Sequence, residues 1–108
     1  MNSGKKRGIS NLLSICIKAG RAVKGFDSVK EAVLNGKAYC VLTACDASGK
    51  TVKEIQFVCS GKDIPVIDSG LEKSEIARLC RKETAVIAVC DRGFAQGFSK
   101  FTTQQTSP

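Results

Sequence analysis

Between Lys18 and Lys37, basic side chains surround a glycine turn, Lys24-Gly25-Phe26-Asp27-Ser28, where a helix-patterned segment begins. A helix start offers unpaired backbone N–H groups and the positive end of the helix dipole, so nearby cations make such a turn suited to phosphate. Lys18, Arg21, Lys24 and Lys30 supply the cations, and Asp27 and Ser28 supply polar side chains at the turn. The competing structural account is that Gly25 only makes a bend and the lysines are solvated. Charge placement favours a ligand. Residues 1–37 carry eight basic side chains against two acids, a net +6, whereas residues 38–108 carry nine against eight, a net +1. A positive field concentrated in this way attracts polyanions, and nucleic acid is the leading candidate.

A second phosphate-binding candidate is Ala44-Cys45-Asp46-Ala47-Ser48-Gly49-Lys50-Thr51, one residue short of a nucleotide-binding P-loop. Ala44 stands where that motif has its first glycine, and a side chain there interferes with the curl whose amides wrap the phosphates. Ser48 capping a helix accounts for the same residues without a ligand, and that reading is preferred. Enzymatic acid–base chemistry lacks its usual players, because the chain has no histidine and no clustered acids. Neither a cofactor nor a metal is expected. None of the six cysteines forms C-x-x-C, and Cys16, Cys40, Cys59, Cys80 and Cys90 fall within apolar patterns as reduced, mostly buried thiols. Cys45, beside Asp46, is expected to be exposed.

The elements that position these residues follow from apolar spacing. Ile9, Leu12, Leu13, Cys16 and Ile17 make one face of a helix from about Ser3 to Ala19, ended by Gly20. A short strand fits Arg21 to Lys24. Val29, Ala32 and Val33 mark a second helix, with Asp27 or Ser28 as N-cap and Asn35-Gly36 as stop. Ala38 to Cys45 and Thr84 to Cys90 read as strands buried on both sides, with a shorter strand at Ile64 to Ile67. Between them lie a helix with Val52, Ile55, Val58 and Cys59 inward, and another with Ile76, Leu79 and Cys80 inward, opened by a capping box at Ser69 to Glu72. Alternating helices and strands predict an α/β layered fold with a largely parallel sheet. Phe94, Phe98 and Phe101 predict a last helix laying three rings on the body. One domain over residues 1–101 is expected, with residues 102–108 a disordered polar tail. No apolar run approaches the roughly 20 residues a membrane span requires, so a cytoplasmic protein is expected.

Several segments then combine in a specific order. Lys18-Ala19-Gly20-Arg21, Val23-Lys24-Gly25, Val29, Ala32-Val33 and Asn35-Gly36-Lys37-Ala38 are followed by Val41 to Ser48, Ile64-Pro65-Val66, Glu75-Ile76-Ala77-Arg78, and Ala85 to Val89 with Asp91 to Ala95. On these residues, Leu13 to Phe98 resembles the bacterial branch of the ribosomal L7Ae and L30e family of kink-turn RNA-binding proteins. The resemblance implies a three-layer α/β/α sandwich with a four-stranded mixed sheet, and a plain turn and cap at Asp46 to Thr51. It also implies that Gly25, the variable Phe26 and the polar pair Asp27 and Ser28 grip sheared guanine–adenine pairs. Glu31 matches a lysine that helps hold the backbone, and Lys82, Glu83 and Thr84 match a loop that closes over the RNA. Two departures matter chemically. Asp27 accepts hydrogen bonds but cannot donate as an amide does, and Glu31 places a negative charge where a cation helps. Lys30 does not substitute for it, since one residue is about 100° around a helix.

The function expected on these grounds is non-enzymatic RNA binding, ribosome-associated or on another structured RNA, by a monomer. Two alternatives belong to other classes. One is a small nucleotide-binding protein using Gly49, Lys50 and Thr51. The other is a protein-interaction module docking through the Phe94, Phe98 and Phe101 face or an altered Gly25 surface.

Overall fold

Apolar residues at helical spacing wind the first segment into α1 (Asn2–Lys18), which leads through β1 (Ala22–Lys24) into α2 (Phe26–Leu34). There follow β2 (Cys40–Thr43), α3 (Gly49–Ser60), β3 (Val66–Asp68), α4 (Lys73–Cys80), β4 (Val86–Val89) and α5 (Arg92–Thr106). The structure, a computed structural model, describes residues 2–106, and the side chains of residues 7–101. Helix α5 runs past Phe101, where the sequence reading ends the domain; residues 107 and 108 of the expected tail lie outside the described residues.

The strand order is β1-β4-β2-β3. Strand β4 is antiparallel to both β1 and β2, and only β2 and β3 run parallel. The sheet is therefore mixed, as the resemblance implies, and not largely parallel as the alternation of elements predicts. The register gives the reason. Thr43 pairs with Asp68 at the end of β3 and with Val86 at the start of β4, so α4 returns the chain to the sheet end it left. With eight residues, α4 is about 12 Å long and makes no full crossover.

Strands β2 and β4 are buried throughout because both their faces are covered. Cys40, Leu42, Ile87 and Val89 face a layer built by α1, α4 and α5, where Leu13, Cys16, Ile76 and Phe98 are buried. Val41, Val86 and Ala88 face the layer of α2 and α3 around Val29, Val33 and Ile55. Phe98 has no exposed surface, and Phe94 and Phe101 pack on the same core. The aromatic triplet is thus internal packing and not a docking face.

The helix starts hold one confirmation and one shift. Ser48 caps α3 by accepting from the Thr51 N–H at 3.2 Å, and its own hydroxyl donates to Thr51 Oγ1 at 2.9 Å. The P-loop-like segment is accordingly a capped helix entry. The capping box of α4 lies at Glu72 and Glu75, one turn beyond the expected Ser69. Ser69 is buried and donates to the Thr43 carbonyl at 2.8 Å, which ties the chain after β3 to the sheet end.

Cys45 is exposed, Cys90 is half-buried, and Cys16, Cys40, Cys59 and Cys80 are buried. Burial, followed by the neighbouring Asp91 and Cys90 charges, pushes the Cys16 thiol up to about 11; burial pushes Cys40 up to about 12. A raised folded-state pKa means that the unfolded chain releases its protons first as pH rises above about 9. Melting temperature is expected to fall steadily between about pH 9 and 11, which a series of thermal melts in a cysteine-to-serine Cys45 background would register.

Candidate functional site

The edge strand β1 must hand the chain to α2, whose buried face points at the sheet, and the bend required is one that side chains resist. Gly25 sits at φ 94°, ψ 145°, a region open almost only to glycine. Its carbonyl accepts the first helical bond from the Val29 N–H at 2.9 Å. Gly25, and not Asp27 or Ser28, is therefore the N-cap of α2, and no side chain caps the helix. The amides of Phe26, Asp27 and Ser28 precede that first bond and belong to the set a helix leaves unpaired. Asp27 and Ser28 are exposed in this first turn, and Phe26 is half-buried against the α2–α3 core. The Asp27 carboxylate is favoured by the dipole, yet it repels phosphate. The turn is consequently better suited to a group that donates to Asp27 than to a bare anion.

Two cross-links tie this turn to the α4–β4 loop. The Gly25 N–H donates to Thr84 Oγ1 at 3.1 Å, and the Thr84 hydroxyl donates to the Val86 carbonyl at 2.8 Å. The Lys24 ammonium donates to the Cys80 carbonyl at 3.2 Å, at the C-terminus of α4 where a cation is favoured. Thr84 is 6% exposed and Lys24 is half-buried, and their hydrogen bonds hold the loop to the turn. In front of them Arg81, Lys82 and Glu83 are exposed as a second wall beside the glycine turn. Arg81 holds left-handed backbone, φ 63° and ψ 19°, at the C-cap of α4. The sequence reading misses Arg81; its signal was its place beside Lys82, directly after the apolar face of α4.

Three expected residues lie elsewhere. Ala22 pairs with Val89, Lys24 pairs with Ile87, and the Arg21 carbonyl accepts from the Cys90 N–H at 2.8 Å. Arg21, four residues before Gly25, is thereby about 13 Å away along the strand, and Lys18 ends α1 beyond it. Helical geometry separates Lys30 as well. Lys30 and Leu34 line the flank of α2 that faces α3, whereas Asp27 and Glu31 share the exposed outer face one turn apart. The single basic surface expected from sequence is thus divided by an extended strand and by the turn of a helix.

This fold has counterparts among known proteins. A family model described as "Ribosomal protein L7Ae/L30e/S12e/Gadd45 family" matches residues 8–98. "RNA-binding protein YlxQ" of Enterococcus faecium is 29% identical over 96 residues, covering 89% of this chain and 92% of its own length. The Bacillus subtilis (strain 168) protein of the same name is 33% identical over 87 residues, covering 78% and 84%. A solved structure of a protein with unknown function from Bacillus halodurans C matches with a TM-score of 0.81 at 29% identity, over 88% of this chain and 96% of that chain. The Giardia lamblia 15.5kD RNA binding protein matches with a TM-score of 0.74 at 20% identity, over 90% and 83%, a likeness of fold.

Proposed function

This chain belongs to the ribosomal protein L7Ae/L30e/S12e/Gadd45 family, and from that premise we propose that it is a non-enzymatic RNA-binding protein whose ligand lies across the Gly25 turn. One observation carries the reading: the hydrogen bond from Gly25 to Thr84 holds an uncapped helix start against a loop bearing Arg81 and Lys82. The names of the Enterococcus and Bacillus relatives support RNA as the ligand.

Each part has a separate chemical task. Asp27 accepts from the amino edge of a guanine, Ser28 bonds to either kind of base group, and the free amides of the first turn support an RNA oxygen nearby. Arg81 and Lys82 hold phosphates from the loop side. Glu31 repels phosphate, so the RNA backbone leaves the outer face of α2. The partner is ribosomal or another structured cytoplasmic RNA, bound by a monomer.

Gel-shift titrations with a kink-turn RNA, a plain RNA duplex and a DNA duplex, each at two salt concentrations, test the proposal. Micromolar or tighter binding to the kinked RNA, at least about tenfold tighter than to either duplex, is expected. Equal, weak and strongly salt-sensitive binding to all three would reduce the site to charge attraction. Arg81→Gly provides an internal check. Glycine relieves left-handed backbone worth about 1 kcal/mol, so thermal melts should show a slightly more stable protein while filter binding shows several-fold weaker RNA affinity. Unchanged affinity would remove Arg81 from the interface.

A further inference from the structure

Helix α3 carries Phe57 on the side away from its buried residues Ile55 and Cys59, and this ring is 82% exposed. Across the seam between α2 and α3, Leu34 is 51% exposed. Packing within the domain uses neither side chain fully. Together with half-buried Val58 they line an open groove of about 660 Å³. Its rim is charged and mostly of one sign. Lys30, Lys53 and Lys62 stand around it against the single acid Glu54, a net +2. On each helix a lysine precedes the exposed apolar residue by one turn, Lys30 before Leu34 and Lys53 before Phe57, so charge and apolar surface lie side by side.

We infer that this groove docks an acidic amphipathic segment of a partner protein. Its apolar side chains cover Leu34, Val58 and Phe57, and its carboxylates face the three lysines, in the manner of a helix laid in a groove. Charge complementarity selects the acidic partner and sets its orientation. RNA fits less well here. Its phosphates would suit the lysines and one base could stack on Phe57, but Leu34 and Val58 offer no second ring for stacking and no partner for base edges. The groove is also independent of the Gly25 turn, because Asp27 and Glu31 occupy a different face of α2.

Selection of a random dodecapeptide library on the full-length protein tests the inference. Enriched peptides should carry a net negative charge with two or more apolar residues, and should bind Phe57→Ser at least about tenfold more weakly. Lys53→Glu should weaken the same peptides. The exposed Phe57→Ser substitution should leave melting temperature and RNA affinity unchanged, which separates this surface from the RNA site. Enrichment of basic peptides, or of none that depends on Phe57, would overturn the inference. So would backbone amide shifts across residues 53–62 that appear with oligouridylate and not with the enriched peptides, since these would give the groove to RNA.

Discussion

Gly25→Val is expected to lower the affinity for kinked RNA by about tenfold or more and to destabilise the fold by roughly 2–3 kcal/mol. For a domain of this size that is a fall in melting temperature on the order of 10 °C. The cause is the backbone. A Cβ at Gly25 meets nothing within 4 Å, but φ 94° is unfavourable for any side chain and most for a β-branched one. The chain can keep the turn and carry the strain, or relax it and re-aim the first turn of α2 together with Asp27 and Ser28. Gly20→Val is the control, since Gly20 has φ 73° and equally open surroundings but lies beyond the far end of β1. It should destabilise the protein and leave RNA affinity intact. Equal effects of the two substitutions on RNA binding would show that the Gly25 turn is not the contact surface.

The second large effect is expected at Thr84, although this residue is buried. Thr84→Val keeps the shape and removes the hydroxyl, which leaves the Gly25 N–H with only a long 3.4 Å approach to the Val86 carbonyl. The Val86 carbonyl also loses its 2.8 Å donor. These two groups keep only their weak bond to each other, so a loss of roughly 1–3 kcal/mol is expected. Thr84→Ser retains the hydroxyl and should cost about 1 kcal/mol or less. Denaturant titration measures the stability, and hydrogen exchange at the Gly25 amide locates the change. If that amide remains protected and the valine variant melts with the parent protein, the bond does not hold the loop to the turn. RNA affinity should fall for Thr84→Val through misplacement of Arg81 and Lys82, a weaker effect than at Gly25.

Thr84 also illustrates why the candidate site was legible only in part. The family resemblance put it with Lys82 and Glu83 in a loop closing over the RNA, and sequence has no way to show that its hydroxyl points inward to a partner 59 residues earlier in the chain. Lys24 is similar: a lysine next to a glycine turn reads as a phosphate ligand, whereas its ammonium reaches the end of α4. Lys18 and Arg21 are close to Gly25 in sequence and distant in space because a strand advances about 3.3 Å per residue. Phe57 and Leu34, 23 positions apart, form a shared groove that no local pattern connects.

The sequence by itself determined which segments are helical and which strands are buried on both faces, because those properties depend on neighbours within about one turn or one pleat. It likewise determined the Ser48 cap, the glycine bend at Gly25 and the inward place of Phe98. The tertiary structure alone decided the direction of β4, the partners of Lys24 and Thr84, and which cations share a surface. Those depend on the sheet end to which each connecting helix delivers the chain, and that is settled by the packing of all layers together.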